Sequence, residues 1–170
     1  GGIPLVNPIN IEDDAIVPDE RKAVSTTTAK RLTRYRLKAG DIAVGRRGDI
    51  GRCAVVSPEQ DGWLCGTGCF VIRAGRGVAP DFLAHLLRSR PYRMQLVAKA
   101  GRATMPSISN KDLAVLQIPA LSLERQKKAL AGFGELSAYS SQAEEVAVRK
   151  LTALDELKAS LLHQAFTGAL

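Results

Sequence analysis

The stretch that decides the fold is LKAGDIAVGRRGDIGRCAVV, residues 37–56 of the 170-residue chain. Its apolar runs, residues 42–44 and 53–56, flank a loop rich in glycine and arginine. Two short β-rich runs around such a loop are typical of a β-hairpin, because glycine adopts the backbone conformations that tight connections need. The sequence therefore predicts a hairpin whose arginine-bearing loop is exposed to solvent.

The residues on either side of this hairpin predict a mixed domain. Prolines keep the first segment extended, and a further apolar run enters through the turn Gly66-Thr67-Gly68. The apolar period then becomes helical, with Pro80 and Asp81 at positions that favour a helix start. We expect a third strand over residues 69–73, helices over 79–87 and 91–100, a loop over 101–110 and a last strand over 113–118.

The C-terminal part predicts one long helix. Ser122 is a good N-cap and no proline follows it, so the helix is expected to run to about Phe166, although Gly132 and Gly134 weaken it. Its apolar residues form a coiled-coil seam too wide to remain uncovered. The seam expected to bind a partner helix consists of Ala147, Leu151, Leu154, Leu157, Leu161, Leu162 and Ala165. The predicted class is thus α+β: a mixed-sheet domain over residues 1–120, then a coiled-coil helix over 121–170.

The net charge of +7 is confined to the first part of the chain. Residues 1–120 hold 18 Lys and Arg against 11 Asp and Glu, whereas residues 121–170 hold 6 of each. Arginine outnumbers lysine 13 to 5 in the first part, and its planar fork grips phosphates and guanine edges with two hydrogen bonds. A nucleic acid is the polyanion that this distribution favours.

The sequence predicts neither a metal centre nor a membrane span. The three cysteines, an odd number, argue for a reducing compartment, and no paired cysteine or histidine spacing completes a zinc site. No apolar run approaches the roughly 20 residues of a membrane helix. The chain opens without a methionine or a secretion signal, and we expect that it derives from a longer one.

Catalytic motifs of DNA-modifying enzymes are missing from the sequence. The Asp19 carboxylate is followed at once by Glu20-Arg21-Lys22, which is too close for a nuclease site built on two strands. A Rossmann methyltransferase needs a glycine-rich turn from strand to helix, whereas the glycines at 45, 48 and 51 lead into another strand. We expect a non-catalytic protein that needs no cofactor.

Several motifs together resemble the specificity subunits of type I restriction–modification systems. The hairpin resembles the family's Lys-x-Gly-Asp-Ile and Gly-x-Ile-Gly motifs, and the C-terminal residues 157–168 resemble its Leu-Leu-x-x-Ala-Phe-x-Gly tail. Two positions depart from the pattern: Leu5 replaces an aromatic residue, and Ala120 departs mildly from the family's Ile-Pro-x-Pro-x-x-Glu-Gln junction. The remaining similar segments are residues 2–6, 82–89, 101–108 and 118–126.

The resemblance implies a cytoplasmic prokaryotic protein that binds double-stranded DNA in the major groove. It also implies assembly, through the helix, with DNA methyltransferase subunits and with a translocating restriction subunit. A complete specificity subunit has two recognition domains and two antiparallel helices. We therefore expect this chain to be either a half-size subunit that associates with itself or a piece of a longer one.

Candidate DNA contacts fall into two groups. The first is a basic cluster expected to contact phosphates, and the second consists of loop residues able to reach base edges. The phosphate group is Lys30, Arg31, Arg34, Arg36 and Lys38. The base-reading group is Arg46, Arg47, Thr67, Arg102, Thr104 and Ser107.

Two other interpretations remain open at this stage. The chain could be the recognition tail of a fused DNA methyltransferase, which a methyltransferase motif upstream in the parent gene would reveal. It could also be a coiled-coil adaptor or decoy that binds methyltransferase subunits without reading DNA. Binding to DNA in moderate salt distinguishes the adaptor from a recognition subunit.

Overall fold

The chain's structure is a computed structural model that describes residues 2–12, 14–19, 21–101 and 106–167. In the described residues up to 114, four short strands precede one short α-helix, four more strands follow it, and three α-helices come next; one long helix then completes the chain's described part. The strands are β1 (Ile3–Val6), β2 (Ile11–Glu12), β3 (Ala15–Ile16), β4 (Ala23–Val24), β5 (Ile42–Gly45), β6 (Cys53–Val55), β7 (Leu64–Cys65) and β8 (Cys69–Ile72). The helices are α1 (Thr26–Arg31), α2 (Pro80–Arg88), α3 (Arg90–Lys99), α4 (Asn110–Ala114) and α5 (Leu123–Thr167).

The predicted hairpin, formed by β5 and β6, belongs to a three-stranded antiparallel sheet with β5 at its centre. Strand β5 pairs with β6 on one side, from Ile42 with Val55 to Val44 with Cys53. On the other side it pairs with β8, from Ile42 with Ile72 to Gly45 with Cys69. A second sheet is mixed, since β1 pairs antiparallel with β4 and parallel with β7. The predicted hairpin, third strand and α+β class are confirmed.

Strand β5 is buried on both faces. Successive side chains of a strand point to opposite sides, so Ile42 and Val44 face one apolar cluster and Ala43 faces another. The first cluster is completed by α2 and α3, through residues such as Leu87 and Leu96. The second cluster includes Val6, Ile11, Ile16 and Leu37 from the N-terminal segments. The central sheet therefore separates the two helices from the N-terminal strands.

The predicted last strand over residues 113–118 is wrong. Helix α4 occupies residues 110–114, and residues 115–122 have no regular secondary structure. The cause is a capping box: the Ser109 hydroxyl accepts from the amide N–H of Asp112, and the Asp112 carboxylate accepts from the amide N–H of Ser109. Leu113 and Leu116, three residues apart, then both pack on the first apolar cluster.

Helix α5 has 45 residues and begins at its predicted cap, where the Ser122 hydroxyl accepts from the amide N–H of Arg125. Gly132 and Gly134 lie inside the helix without ending it. The chain divides into two units, residues 1–127 and 128–170, so the first turn of α5 belongs to the first unit. Among the described helices, none is long and apolar enough to cross a membrane.

The described part of the second unit, residues 128–167, is helical throughout. Its seam leucines are exposed, from 63% for Leu151 to 46% for Leu161. The apolar surface that the sequence predicts for a partner helix is therefore uncovered in the single chain.

Candidate nucleic-acid interface

Four of the predicted base-reading residues lie at one end of the central sheet. The amide of Arg46 donates to the carbonyl of Gly68, next to Thr67, over 2.9 Å. The carbonyl of Arg46 accepts from Ile108 over 3.0 Å, and Arg47 forms an antiparallel bridge with Ser107. We call Arg46, Arg47, Thr67 and Ser107 the tip surface. The other two predicted base readers, Arg102 and Thr104, lie outside the residues that the structure describes.

The guanidinium of Arg46 is stacked on an aromatic ring of the core. It lies 4.7 Å from the centroid of Phe70, which is only 8% exposed. This contact is a cation–π interaction, strongest where water is excluded. The Nε atom of Arg46 is buried and makes no hydrogen bond to the described residues. The Phe70 ring therefore orients a charged group at the tip surface.

Close backbone packing fixes the turn that carries Thr67. A side chain at Gly66 would overlap the amide of Asn7, and a side chain at Gly68 would overlap the ring of Pro8. At Gly68 only glycine fits without displacing the Pro8 ring, whereas at Gly66 any other residue would have to displace the Asn7 side chain. The sequence predicts both glycines as turn residues and Pro8 as part of an extended segment, but no sequence pattern reveals these contacts.

Asp49 ties the loop between β5 and β6 to its surroundings. Its carboxylate binds the guanidinium of Arg52, with Nη2 at 2.9 Å, and also binds Arg93 of α3. The same Arg52 donates through Nη1 to the carbonyl of Ile11 at 2.9 Å. The loop that bears Arg46 and Arg47 is thus held to α3 and to β2. Sequence reasoning missed Asp49, although the spacing of Asp49 and Arg52 hints at their pairing.

One member of the predicted phosphate group, Lys38, lies at the opposite end of β5 from the tip surface. Lys38 and the buried Asp41 come directly before this strand, whereas Arg46 follows it. The amide of Lys38 donates to the Asp41 carboxylate at 2.9 Å, and the Lys38 side chain is exposed. The structure thus places Lys38 and the tip surface at the two ends of one strand.

The members of the phosphate group differ in how far the fold uses them. Lys30 and Arg31 are exposed in the last turn of α1. The guanidinium of Arg34 lies 4.7 Å from the ring centroid of Tyr35, and both residues are exposed. Arg36 is half-buried and donates from Nη1 to the carbonyl of Gly62 at 2.8 Å. Arg36 therefore also holds together two segments of the domain.

The three thiols are buried close to the sheet and are free of disulfide bonds. Burial raises the pKa of Cys53 and of Cys65 to about 11 and the pKa of Cys69 to about 12. A thiol with so high a pKa stays protonated near neutral pH and is a poor nucleophile and a poor metal ligand. Within the described ranges, no three His, Cys, Asp or Glu residues are placed to hold a metal ion.

Comparisons with known proteins identify a set of longer relatives. No protein-family model matches the chain. The Escherichia coli protein described as the type I restriction enzyme EcoBI specificity subunit is 24% identical over 169 residues, which are 99% of this chain and 36% of that protein. The chain thus spans well under half the length of this curated relative.

Two solved structures share the fold at a higher identity. The HsdS subunit from Thermoanaerobacter tengcongensis is 28% identical with a TM-score of 0.68, over 97% of this chain and 42% of that one. A chain from a structural study of complex assembly and conformational transition of the type I restriction–modification system is also 28% identical, with a TM-score of 0.65 and the same coverage. The resemblance predicted from the motifs is therefore confirmed: over nearly its whole length, this chain is similar to specificity subunits of type I restriction–modification systems.

Proposed function

We propose that this chain recognises a specific DNA sequence as a specificity subunit of a type I restriction–modification enzyme. The observation that carries the proposal is the tip surface, where loops converge around an arginine stacked on Phe70. An arginine fork can bind the O6 and N7 atoms of guanine, and serine or threonine hydroxyls can bind either donors or acceptors on base edges. The similarity to specificity subunits supports the same function.

The separation of Lys38 from the tip surface suits a DNA duplex. Strand β5 has four residues and, at about 3.4 Å per residue, spans roughly 10–14 Å. The major groove of B-DNA is about 12 Å wide and is lined by phosphates on both sides. Lys38, beyond the far end of β5, is therefore spaced to contact a backbone phosphate while the tip surface reads bases.

Within this proposal, the chain directs other subunits and carries out no chemistry itself. Its proposed partners are double-stranded DNA, DNA methyltransferase subunits and a restriction subunit that translocates DNA, and its proposed location is the cytoplasm. The helix of the second unit supplies an exposed apolar surface for protein partners. The two rival functions, a recognition tail of a fused methyltransferase and an adaptor that does not read DNA, predict different outcomes in the experiments below.

A randomised-DNA selection tests the proposal. The purified chain, alone and with its methyltransferase partner, is incubated with a library of random duplexes in moderate salt. We expect one sequence motif to be enriched, and we expect an Arg46→Ala and Arg47→Ala double variant to lose that enrichment. If neither the chain nor the complex enriches any sequence while the complex still assembles, the adaptor interpretation is correct.

A methyl-transfer assay tests the absence of catalysis. The purified chain with DNA, magnesium and labelled S-adenosylmethionine should transfer no label, because its sequence lacks the motifs for binding this methyl donor. Addition of the methyltransferase subunits should produce transfer. Label transferred by the chain alone would contradict the assignment as a recognition subunit.

A further inference from the structure

An open groove of about 490 Å³ lies where α2 meets α3. Three arginines line it, and none of its lining residues is acidic, so the groove favours an anionic ligand. The lining residues are Arg88, Arg90, Arg93, Met94, Val97 and Ala98.

One face of α3 lines the groove. Arg90, Arg93, Met94 and Val97 are spaced by three or four residues and therefore share a face of this helix. Met94 is 61% exposed and Val97 is 55% exposed, whereas Leu96 on another face is fully buried. This face thus combines positive charge with apolar surface and does not pack on the core.

Within the described residues, arginines outnumber the carboxylates that bind them in this region. Asp49 binds both Arg52 and Arg93, while Asp14 binds Arg88 at 3.0 Å. Arg90 is exposed at the first turn of α3, where the aligned peptide dipoles add positive potential. Arg52 does not line the groove, so the three lining guanidinium groups meet two carboxylates, which leaves a net positive charge facing the groove.

The groove also adjoins the tip surface. The side chain of Arg93 lies against Gly51, in the same loop as Arg46 and Arg47, and its guanidinium binds Asp49 of that loop. A duplex whose bases are read by Arg46 and Arg47 would therefore bring its phosphates close to α3. An acidic protein segment would account for the charge of the groove but not for its position beside the tip surface.

We propose that Arg90 and Arg93 bind the phosphate backbone of the duplex whose bases the tip surface reads, with Met94 and Val97 against the apolar faces of the sugars. This inference rests on the proposed function. It assigns α3 a role that the basic cluster of residues 30–38 was expected to fill alone.

The test uses the full chain and a random-sequence duplex, with binding measured between 50 and 200 mM salt. Each lost phosphate contact flattens the plot of log K against log salt by about 0.9, which at 0.1 M salt corresponds to roughly 5- to 10-fold weaker binding. We expect Arg90→Gln to show this loss, and Arg93→Gln to show it or more. The matched control is Arg149→Gln, because Arg149 is exposed in α5, where no DNA contact is predicted, and should leave the slope unchanged.

The outcomes separate this inference from the proposed function. If the parent chain binds no duplex even at 50 mM salt, the proposed function and the inference both fail. If the parent binds but Arg90→Gln keeps the parental slope, or Arg149→Gln flattens it equally, only the inference fails. If Arg90→Gln spares DNA binding and weakens capture of the purified methyltransferase subunit, the groove binds protein instead. Equal urea midpoints for parent, Arg90→Gln and Arg149→Gln establish that folding is unchanged.

Discussion

At the residue scale, the placement of Arg46 depends on the core beneath it. A surface arginine loses side-chain entropy when it binds DNA, because its several torsions must be fixed. Stacking on Phe70 restricts those torsions before the DNA arrives. The adjacent Arg47 is exposed and bridges only through its backbone to Ser107. Of the two arginines, Arg46 therefore has the more restricted side chain and is the better candidate to contact one base pair of the DNA.

Replacement of Arg46 tests this role. We expect Arg46→Ala to weaken binding to the preferred sequence by about 1–3 kcal/mol and to relax the preference at one base pair. Phe70→Leu, which keeps the charge and removes the ring, should have a smaller effect in the same direction. Binding of both variants to the selected sequence and to its single-base variants provides the measurement. An equal loss of affinity on every sequence would show that Arg46 contacts phosphate.

The buried thiols permit a prediction about pH. Because burial raises their pKa values from 9.0 to about 11 or 12, native thiols are protonated at pH 8 and should react with a disulfide reagent far more slowly than after unfolding in urea. Their contribution to stability is present below about pH 9 and decreases as the pH rises towards 11, since only the unfolded chain ionises there. Fast reaction of the native chain at pH 8 would contradict the observed burial.

Some parts of the candidate site could be predicted from sequence and others could not. The glycines between two apolar runs predict that Arg46 and Arg47 lie in a loop, because the residues that form this loop are neighbours in the sequence. The contacts that fix this loop join distant positions: Arg46 to Phe70, and Asp49 to Arg93. No spacing rule connects residues that far apart, since only the packing of α3 against the sheet brings them together.

At the element scale, predictions succeeded where the local sequence and the tertiary packing agree. The hairpin has apolar strands on both sides of a glycine-rich loop, and α5 starts directly after its predicted cap residue, Ser122. The strand expected over residues 113–118 failed because an apolar run of that length is equally compatible with a short helix. There, the Ser109 and Asp112 capping box decided in favour of the helix.

Gln126 is the polar residue that fastens the beginning of α5 to the first unit. It is 2% exposed, and its side chain makes three hydrogen bonds. The oxygen accepts from the amide of Ala79 at 2.8 Å. The nitrogen donates to the carbonyls of Gly77 at 2.9 Å and Leu121 at 2.8 Å. These bonds satisfy backbone groups of the loop before α2 and of the segment before α5.

Truncation of Gln126 should therefore destabilise the first unit. Gln126→Ala removes three hydrogen bonds to partly buried backbone groups, and we expect it to lower the free energy of unfolding by about 1–3 kcal/mol. Gln142→Ala is the matched control, because Gln142 is exposed in the same helix and its truncation should have almost no effect. Urea denaturation measures both. Amide exchange at Ala79 should accelerate in Gln126→Ala alone, and unchanged exchange would argue against the anchoring role.

At the scale of the whole molecule, charge and apolar surface are divided between the two parts of the chain. The excess of seven positive charges lies in residues 1–120, and the neutral residues 121–170 carry the exposed leucine seam. DNA binding and protein association are therefore expected to depend on different residues. The relatives that the chain matches are more than twice its length, as expected if a complete assembly contains two such halves.

The seam requires a covering surface. Leu151, Leu154, Leu157, Leu161 and Leu162 each remain about half exposed or more. Covering the rest of a half-exposed leucine contributes about 1 kcal/mol, and a two-fold pair counts every leucine twice. The helical part carries six positive and six negative charges, so its net charge does not oppose a second copy. These features favour a second copy of this chain as the partner.

We predict that the chain forms a two-fold dimer through α5, with the helices antiparallel, and that the dimer reads an inverted repeat interrupted by unread base pairs. Leu154→Glu combined with Leu161→Glu should abolish the dimer and cooperative DNA binding while the first unit stays folded. Thr152→Glu combined with Ala159→Glu is the matched control, since it adds the same charges at the same seven-residue spacing outside the seam. Light scattering of each variant, alone and with the methyltransferase, measures the mass. If the parent chain is a monomer in both states, the seam is covered instead by a helix on another part of a longer polypeptide, and the recognised half-sites need not be identical.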